Sequence, residues 1–317
     1  MSSKRLMIDG DIFRYEIGAV CQTPEQHFGV TVMIPRRRPF VVDKVDHMVE
    51  RIMEATDADA YEIFLSAKTN YRNDIAVTNP YKGQRTKEKP YHWSTIGEIL
   101  VENYGAYTIH GAEADDAISI FARQDLENTI VASRDKDLRI IPCYHYAWRC
   151  GESQPEIPVH WVHTLGEVRA VPYPSGGYKL VGNGLKFFYG QVLVGDSVDN
   201  YKGCPGVGPV AAVKLLGHCT TETQMYEATL SAFSNKLGPE AGYKLLLENA
   251  RLAWLLDDGE VTQDANNNIY ISPKRLWEPP SSVSTGEWSG PMVVEPEPER
   301  WGPIPTGEDG PTEALHV

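Results

Sequence analysis

Apolar residues in this chain come in short runs that end in acid or in a turn. Leu6-Met7-Ile8 reads as a buried strand closing on Asp9-Gly10-Asp11, and residues 61–65, 106–110 and 129–133 repeat the pattern. Between these runs the spacing turns helical. Val45, Met48, Val49, Ile52 and Met53 share one face of a helix over residues 42–55, and 93–104 reads as another. Residues 28–42 look like a β-ribbon whose tip is Pro35-Arg36-Arg37-Arg38-Pro39, a solvated turn or, on a sharper reading, a phosphate contact. Residues 144–163 read as short strands at a sheet edge, 185–194 as a helix, and 223–256 as two more. Strands alternating with helices predict an α/β fold, a twisted and mostly parallel sheet flanked by helices.

From residue 273 the pattern stops. Nine of the 22 prolines lie there, and three Lys/Arg face eight Asp/Glu. Residues 281–317 therefore read as a disordered acidic tail, with Trp288 and Trp301 as a hook for a protein partner. A chain of 317 residues divides naturally into an α/β domain over 1–184, a helical subdomain over 185–272 and the tail over 273–317. The net charge of −13 argues against a basic protein that coats DNA, although −5 of it belongs to the tail. Five cysteines without a CxxC pair make a disulfide scaffold or zinc site unexpected and favour a reducing cytoplasm. The N-terminus runs into acid after three apolar residues, unlike a signal peptide, and no apolar run approaches the roughly 20 residues of a membrane span.

Residues 191–216, QVLVGDSVDNYKGCPGVGPVAAVKLL, carry two chemistries. Asp196 and Asp199 are three apart, so a helical turn would put both carboxylates on one face. Gly203, Gly206 and Gly208 then alternate with Pro205 and Pro209, a loop suited to close backbone approach that opens a helix and offers N–H groups to a phosphate. Asp9 stands at a strand's carboxyl end, where ligands gather in parallel sheets, whereas Asp11 reads as a helix N-cap. Acids at a helix start gain about 0.3–1 kcal/mol each, which explains one or two of Glu113, Asp115 and Asp116 but not all three. Asp135 and Asp137 share a face if the strand before them continues. With Asp11 set aside as a cap, the other eight carboxylates come from four separated segments. Two carboxylates 4 Å apart repel by about 4 kcal/mol at an effective dielectric of 20, so a converging cluster needs divalent cations. Oxygen ligands without matching His or Cys point to Mg²⁺ or Mn²⁺ over zinc. In residues 68–93, Arg72, Lys82, Arg85, Lys87 and Lys89 interleave with Tyr71, Tyr81, Tyr91, His92 and Trp93. That mixture suits the end of a nucleic acid, and equally an exposed loop with snorkelling lysines.

GDSVDNYKGCPGVGPVAAVKLL resembles the helix–three-turn–helix signature of the 5′ nucleases, a superfamily of flap endonucleases, the 5′ nuclease domains of bacterial DNA polymerases and phage 5′→3′ exonucleases. Glu113-Ala114-Asp115-Asp116 is similar to its E-x-D-D element and Asp135-Lys136-Asp137 to its D-x-D. NYR…NPYKGQR resembles the arch over the active site in the phage enzymes, and the IDGD start and compact arch are most similar to the short-tailed-phage 5′ exonucleases. The resemblance covers about residues 5–275. It implies a PIN-like sheet with a helix–three-turn–helix subdomain and a structure-specific nuclease. That nuclease would act by two-metal hydrolysis on DNA, or an RNA–DNA hybrid, with a free 5′ end or a 5′ flap, in the cytoplasm (the host's if phage-encoded).

The same resemblance assigns roles. Asp9, Glu113 and Asp115 would hold one Mg²⁺, and Asp137, Asp196 and Asp199 the other. Asp135 would stand between the ions and Asp116 behind the ligands. Lys82 and Arg85 would meet the scissile phosphate, Tyr81 would stack on the terminal base, and Arg72 belongs to the same arch contacts with DNA. Lys202, Gly203, Gly206, Gly208 and Lys214 would hold the duplex, with a monovalent cation such as K⁺ among the hairpin carbonyls. One position departs: the family ends its second strand in aspartate, where this chain has Ala67. Three rivals stand beside this reading, one of them a ribonuclease of the related PIN class, whose members generally lack the hairpin. LMIDGD and VGDSVDN also resemble motifs of haloacid-dehalogenase phosphatases, with Asp9 as nucleophile and Asp11 as acid, but that leaves EADD, DKD and the hairpin unexplained. A degenerate fold that only binds DNA structure would account for Ala67.

Overall fold

The computed structural model describes residues 4–86 and 88–280, so Lys87 and the expected tail over 281–317 lie outside the described residues. Strand β1 (Arg5–Asp9) leads into helix α1 (Gly10–Val20), the hairpin β2 (Gln22–His27) and β3 (Val30–Pro35), helix α2 (Arg38–Thr56) and strand β4 (Ala60–Ser66). After the short helix α3 (Arg72–Ile75) come α4 (Trp93–Tyr104), β5 (Tyr107–His110), α5 (Ala114–Ala122), β6 (Thr129–Ala132), β7 (Tyr144–Ala147) and β8 (Ile157–Trp161). A second hairpin, β9 (Glu167–Pro172) and β10 (Tyr178–Asn183), precedes α6 (Gly184–Val194). The short strands β11 (Gly195–Asp196) and β12 (Tyr201–Lys202) then carry the chain into α7 (Pro209–Leu216), α8 (Glu222–Leu237) and α9 (Pro239–Ala253), and it ends in β13 (Gly259–Gln263) and β14 (Asn268–Pro273).

Eight strands form one sheet in the order β13-β14-β5-β4-β1-β6-β7-β8. The pairs from β14 to β7 are parallel, and only the edge strands β13 and β8 run antiparallel. The architecture is thus the expected α/β one. Strand periodicity divides the core into two layers. Leu6, Ile8, Ile63 and Leu65 face α1, α2 and α4, whereas Met7, Phe64 and Val131 face α5 and the helices α6 to α9. Helix α6 is buried from Phe187 to Leu193, as expected of a helix with no polar face, and it delivers the acidic hairpin to the sheet.

Three expectations change. The basic run 35–39 is the foot of the first ribbon and not its tip, because Pro39 opens α2 and the turn falls at Phe28 (φ 52°) and Gly29 (φ 81°). Strands β13 and β14, expected within a helical subdomain, return to the sheet beside β5. A single hydrophobic core also runs from Met7 through Phe187 to Leu246, joining the segments expected on either side of residue 184.

Candidate active site

The carboxyl ends of β1, β4 and β6 converge on acid. Asp9 ends β1 and caps α1, accepting from the Asp11 backbone N–H at 3.1 Å while the Ser133 hydroxyl, just beyond β6, donates to it at 2.8 Å. The cap is therefore Asp9, the residue that keeps extended backbone, and Asp11 sits in the first turn. There Asp11 accepts from the Ser66 N–H at 3.0 Å, beside the Ala67 that leaves β4 without an acid of its own. Glu113 and Asp116 form a capping box at the start of α5, so the acidic helix start has its ordinary structural use as well.

The other two acidic pairs meet through turns. The Asp135 N–H donates to the Ser133 hydroxyl oxygen at 2.8 Å, and the Asp135 carboxylate accepts from the Asp137 N–H at 2.9 Å. The extended continuation expected for this pair gives way to a helical turn at Lys136. Asp196 likewise accepts from the N–H groups of Val198 (2.6 Å) and Asp199 (3.4 Å), a side-chain turn where a helix was expected.

Gathering so many acids is costly, and their ionisation shows it. Burial, then repulsion from Asp11 and Asp135, pushes Asp9 up to about 8. Burial, followed by repulsion from Asp137, Asp196 and Glu113 against the pull of Lys82, takes Asp199 to about 7. Burial first and neighbouring acids second raise Asp115 and Asp135 too. Glu113 and Asp137 are half-buried, but lysines overcome the desolvation and hold both below the usual range. Lys82 Nζ pairs with Glu113 and stands 3.8 Å from Asp199, and Arg85 reaches Asp199 at 3.4 Å. Lys136 Nζ bridges Asp137 at 2.9 Å and Asp196 at 2.6 Å. Among the described residues, no three His, Cys, Asp or Glu side chains are set to hold a metal ion, since these lysines stand between the carboxylates. The donor set itself, all carboxylate and short of positive charge, suits a hard divalent cation.

A pH dependence follows. A carboxylate raised in the folded state contributes stability below its unfolded value and loses it as pH rises through its folded value. In chelator, stability to urea is expected to fall from about pH 4 towards the folded values of about 7 for Asp199 and about 8 for Asp9. Glu113 and Asp137, held low, act only on the acid side of that window. Divalent cation should flatten the slope, and a flat profile in chelator would contradict the electrostatics described above.

Two residues expected at DNA are turned inward. Arg72 is 1% exposed. Its guanidinium grips Asp116 at 2.6 and 2.9 Å and donates to the carbonyls of Leu252 (3.0 Å) and Trp254 (2.9 Å), so no phosphate reaches it. Asp116 also accepts from the N–H groups of Glu113 and Leu256, which leaves neither oxygen for a metal. Tyr81 packs with Tyr201 and Leu252 and donates its hydroxyl to Glu113 at 2.8 Å, so its ring is not open to a base. Lys82 does stand over the acids, with its backbone in the left-handed region (φ 52°), a conformation unusual for lysine. In the hairpin, a Cβ on Gly203 would come within 2.2 Å of the Leu193 carbonyl oxygen, so that glycine is required by packing. Gly206 has φ 75° and Gly208 lies open at the start of α7, with Lys202 and Lys214 exposed. The Leu193 and Cys204 carbonyls accept from the Cys204 and Val207 N–H groups.

Sequence reasoning passed over Ser133, Lys136 and Gln191. Gln191 donates to Asp137 from the buried face of α6, and its position on an otherwise apolar helix was the available signal.

No family model matches the chain. A DNA polymerase I of Rhizobium leguminosarum is 34% identical over 161 residues, 48% of this chain and only 14% of the polymerase. The T5 5′-exonuclease with divalent zinc bound is 13% identical with a TM-score of 0.47, over 79% of this chain and 93% of that one. The catalytic core of Rad2 with DNA substrate is also 13% identical, with a TM-score of 0.42 over 81% of this chain and 76% of its own. Likenesses of that size assign nothing by themselves. In the order and spacing of its acidic motifs, and in the glycine hairpin that follows them, the chain resembles the 5′ nuclease superfamily.

Proposed function

We propose that this chain is a structure-specific 5′ nuclease that hydrolyses DNA phosphodiesters with divalent cations, as a 5′→3′ exonuclease or flap endonuclease. One observation carries the reading. Asp9, Asp11, Glu113, Asp115, Asp135, Asp137, Asp196 and Asp199 form one electrostatically linked cluster with Lys82 over it. Divalent cations, Mg²⁺ or Mn²⁺ by the donor chemistry, would be held by Asp9, Glu113 and Asp115 and by Asp137, Asp196 and Asp199, and would supply charge to the phosphate and acidify a water. Lys82 would release Glu113 and Asp199 to take the scissile phosphate, with Arg85 beside it, and stabilise charge as it develops. Asp135 would keep the two halves of the cluster together. Lys202, Lys214 and the glycine turn would hold the duplex backbone, so recognition is of DNA shape and not of sequence.

The phosphatase rival loses support here. Asp9 is 5% exposed and takes hydrogen bonds from Ser133 and Asp11, a poor setting for a covalent nucleophile. One observation favours a second reading, a fold that binds DNA structure without cutting it: Ala67 leaves the end of β4 without an acid. Cleavage of labelled flap DNA with Mg²⁺ and with chelator, beside binding measured in Ca²⁺, decides. Chelator-sensitive cleavage supports the nuclease, whereas tight binding without cleavage supports the binder.

Lys82→Ala is expected to slow single-turnover cleavage by about 100-fold at saturating enzyme, the scale of losing one preorganised charge. Lys202→Ala should instead weaken affinity and reduce the salt slope by about 0.9. A Lys82→Ala variant that cleaves at the wild-type rate would remove Lys82 from the phosphate site.

A further inference from the structure

The arch segment leaves the sheet after β4 and must place Lys82 over acids supplied by other elements. Its middle is poorly anchored by packing: Val77 is 85% exposed. What holds it is one carboxylate. Glu248, half-buried on α9, accepts from the N–H groups of Val77 (2.8 Å) and Thr78 (2.7 Å) on one oxygen and from the Thr78 hydroxyl (2.6 Å) on the other. Hydrogen bonds to an ionised acceptor are about twice as strong as neutral ones.

A few residues on, the arch is tied a second time. Asn200 donates its side-chain amide to the Pro80 carbonyl at 2.9 Å, and the Lys82 N–H donates to the Asp199 carbonyl at 3.2 Å. Lys82 (φ 52°) and Asn200 (φ 65°) both hold left-handed backbone across this junction. Tyr81 and Lys82 are therefore presented to Glu113 from a span fixed by α9 at one end and by the acidic hairpin at the other.

The next residue of α9 points elsewhere. Asn249 donates to the Lys202 carbonyl at 2.8 Å, at the entrance to the glycine turn, and to the Val192 carbonyl at 3.3 Å. Adjacent side chains on one rigid helix thus hold the arch and the strand that leads into the duplex-holding turn.

We propose that Glu248 is a positioning residue: from α9 it fixes the backbone of Val77 and Thr78 and so sets where Lys82 stands over the carboxylates. The proposal rests on the nuclease reading above. Because Glu248 lies at the surface of the junction and fills no apolar core, its loss acts on the arch and not on the fold.

The test uses the full chain. Glu248→Ala is expected to slow single-turnover cleavage of a flap substrate by about 10-fold at saturating enzyme, since small misplacements of reacting groups are costly in rate. Its affinity in Ca²⁺ should stay within about twofold of wild type. Glu248→Gln, whose amide oxygen still accepts both N–H groups and whose amide nitrogen can donate to the Thr78 hydroxyl, should recover the rate to within about threefold. In a Lys82→Ala background the added effect of Glu248→Ala should shrink to less than about twofold, because the two act as a unit. Equal slowing in both backgrounds, or no slowing in either, would overturn the proposal. Hydrogen exchange at the Val77 and Thr78 amides gives a reading independent of cleavage: it should accelerate in Glu248→Ala and not in Glu248→Gln. If the wild-type chain cuts no DNA, the nuclease reading falls while exchange still tests the latch. Unchanged exchange at both amides would refute the latch itself.

Discussion

Asp135→Asn is expected to cut DNA at least about 1,000-fold more slowly than wild type while still binding it. Asp135 stands between Asp9 and Asp137, and its repulsion with both links the two halves of the cluster. Asparagine keeps the shape and an acceptor for the Asp137 N–H but removes the charge that would hold cations there. Losing a single preorganised electrostatic group costs about 100- to 1,000-fold, and Asp135 would serve both cation positions. Lys202, Lys214 and the hairpin backbone do not depend on it, so affinity in Ca²⁺ should survive. Residual cleavage within tenfold of wild type would remove the carboxylate cluster from the chemistry.

Arg72→Ala should act on the fold. The guanidinium is enclosed with Asp116, itself 0% exposed, and also bonds the Leu252 and Trp254 carbonyls. Removing one partner of a buried pair leaves the other charged and unpaired, at a cost of about 3–5 kcal/mol. The urea midpoint should fall accordingly, and the Arg72→Ala/Asp116→Ala pair should cost less than the sum of its parts. If stability is unchanged and DNA affinity falls with a shallower salt slope, Arg72 contacts phosphate and its burial here is not the working arrangement.

The strands and most of the acids were legible because both follow local rules. A run such as Leu6-Met7-Ile8 alternates between two covered faces, and the acid after it must lie at the strand's end. The fate of Arg72 was not legible, because its partners lie 44 residues away at Asp116 and 180 away at Leu252. Tyr81 and Lys82 illustrate the same limit side by side. Both sit in a basic, aromatic loop, yet one ring is packed against Tyr201 while the neighbouring amine reaches the acids. The turns at Asp135 and Asp196 escaped because an Asp bonding the N–H two residues on competes with strand and helix alike. Strand β14 was within reach: Ile269 and Ile271 are buried while Tyr270 and Ser272 are exposed, a period of two that the nearby prolines obscured.

The most direct test of the nuclease itself is one gel. Duplex DNA and a duplex bearing a 5′ flap, each labelled at the 5′ or the 3′ end, are incubated with the full chain and Mg²⁺. The account predicts that the 5′ label is released in short products or as the intact flap, that the 3′-labelled strand shortens from its 5′ side, and that chelator stops both. Shortening from the 3′ end, or uncut DNA at saturating protein and Mg²⁺, would contradict it.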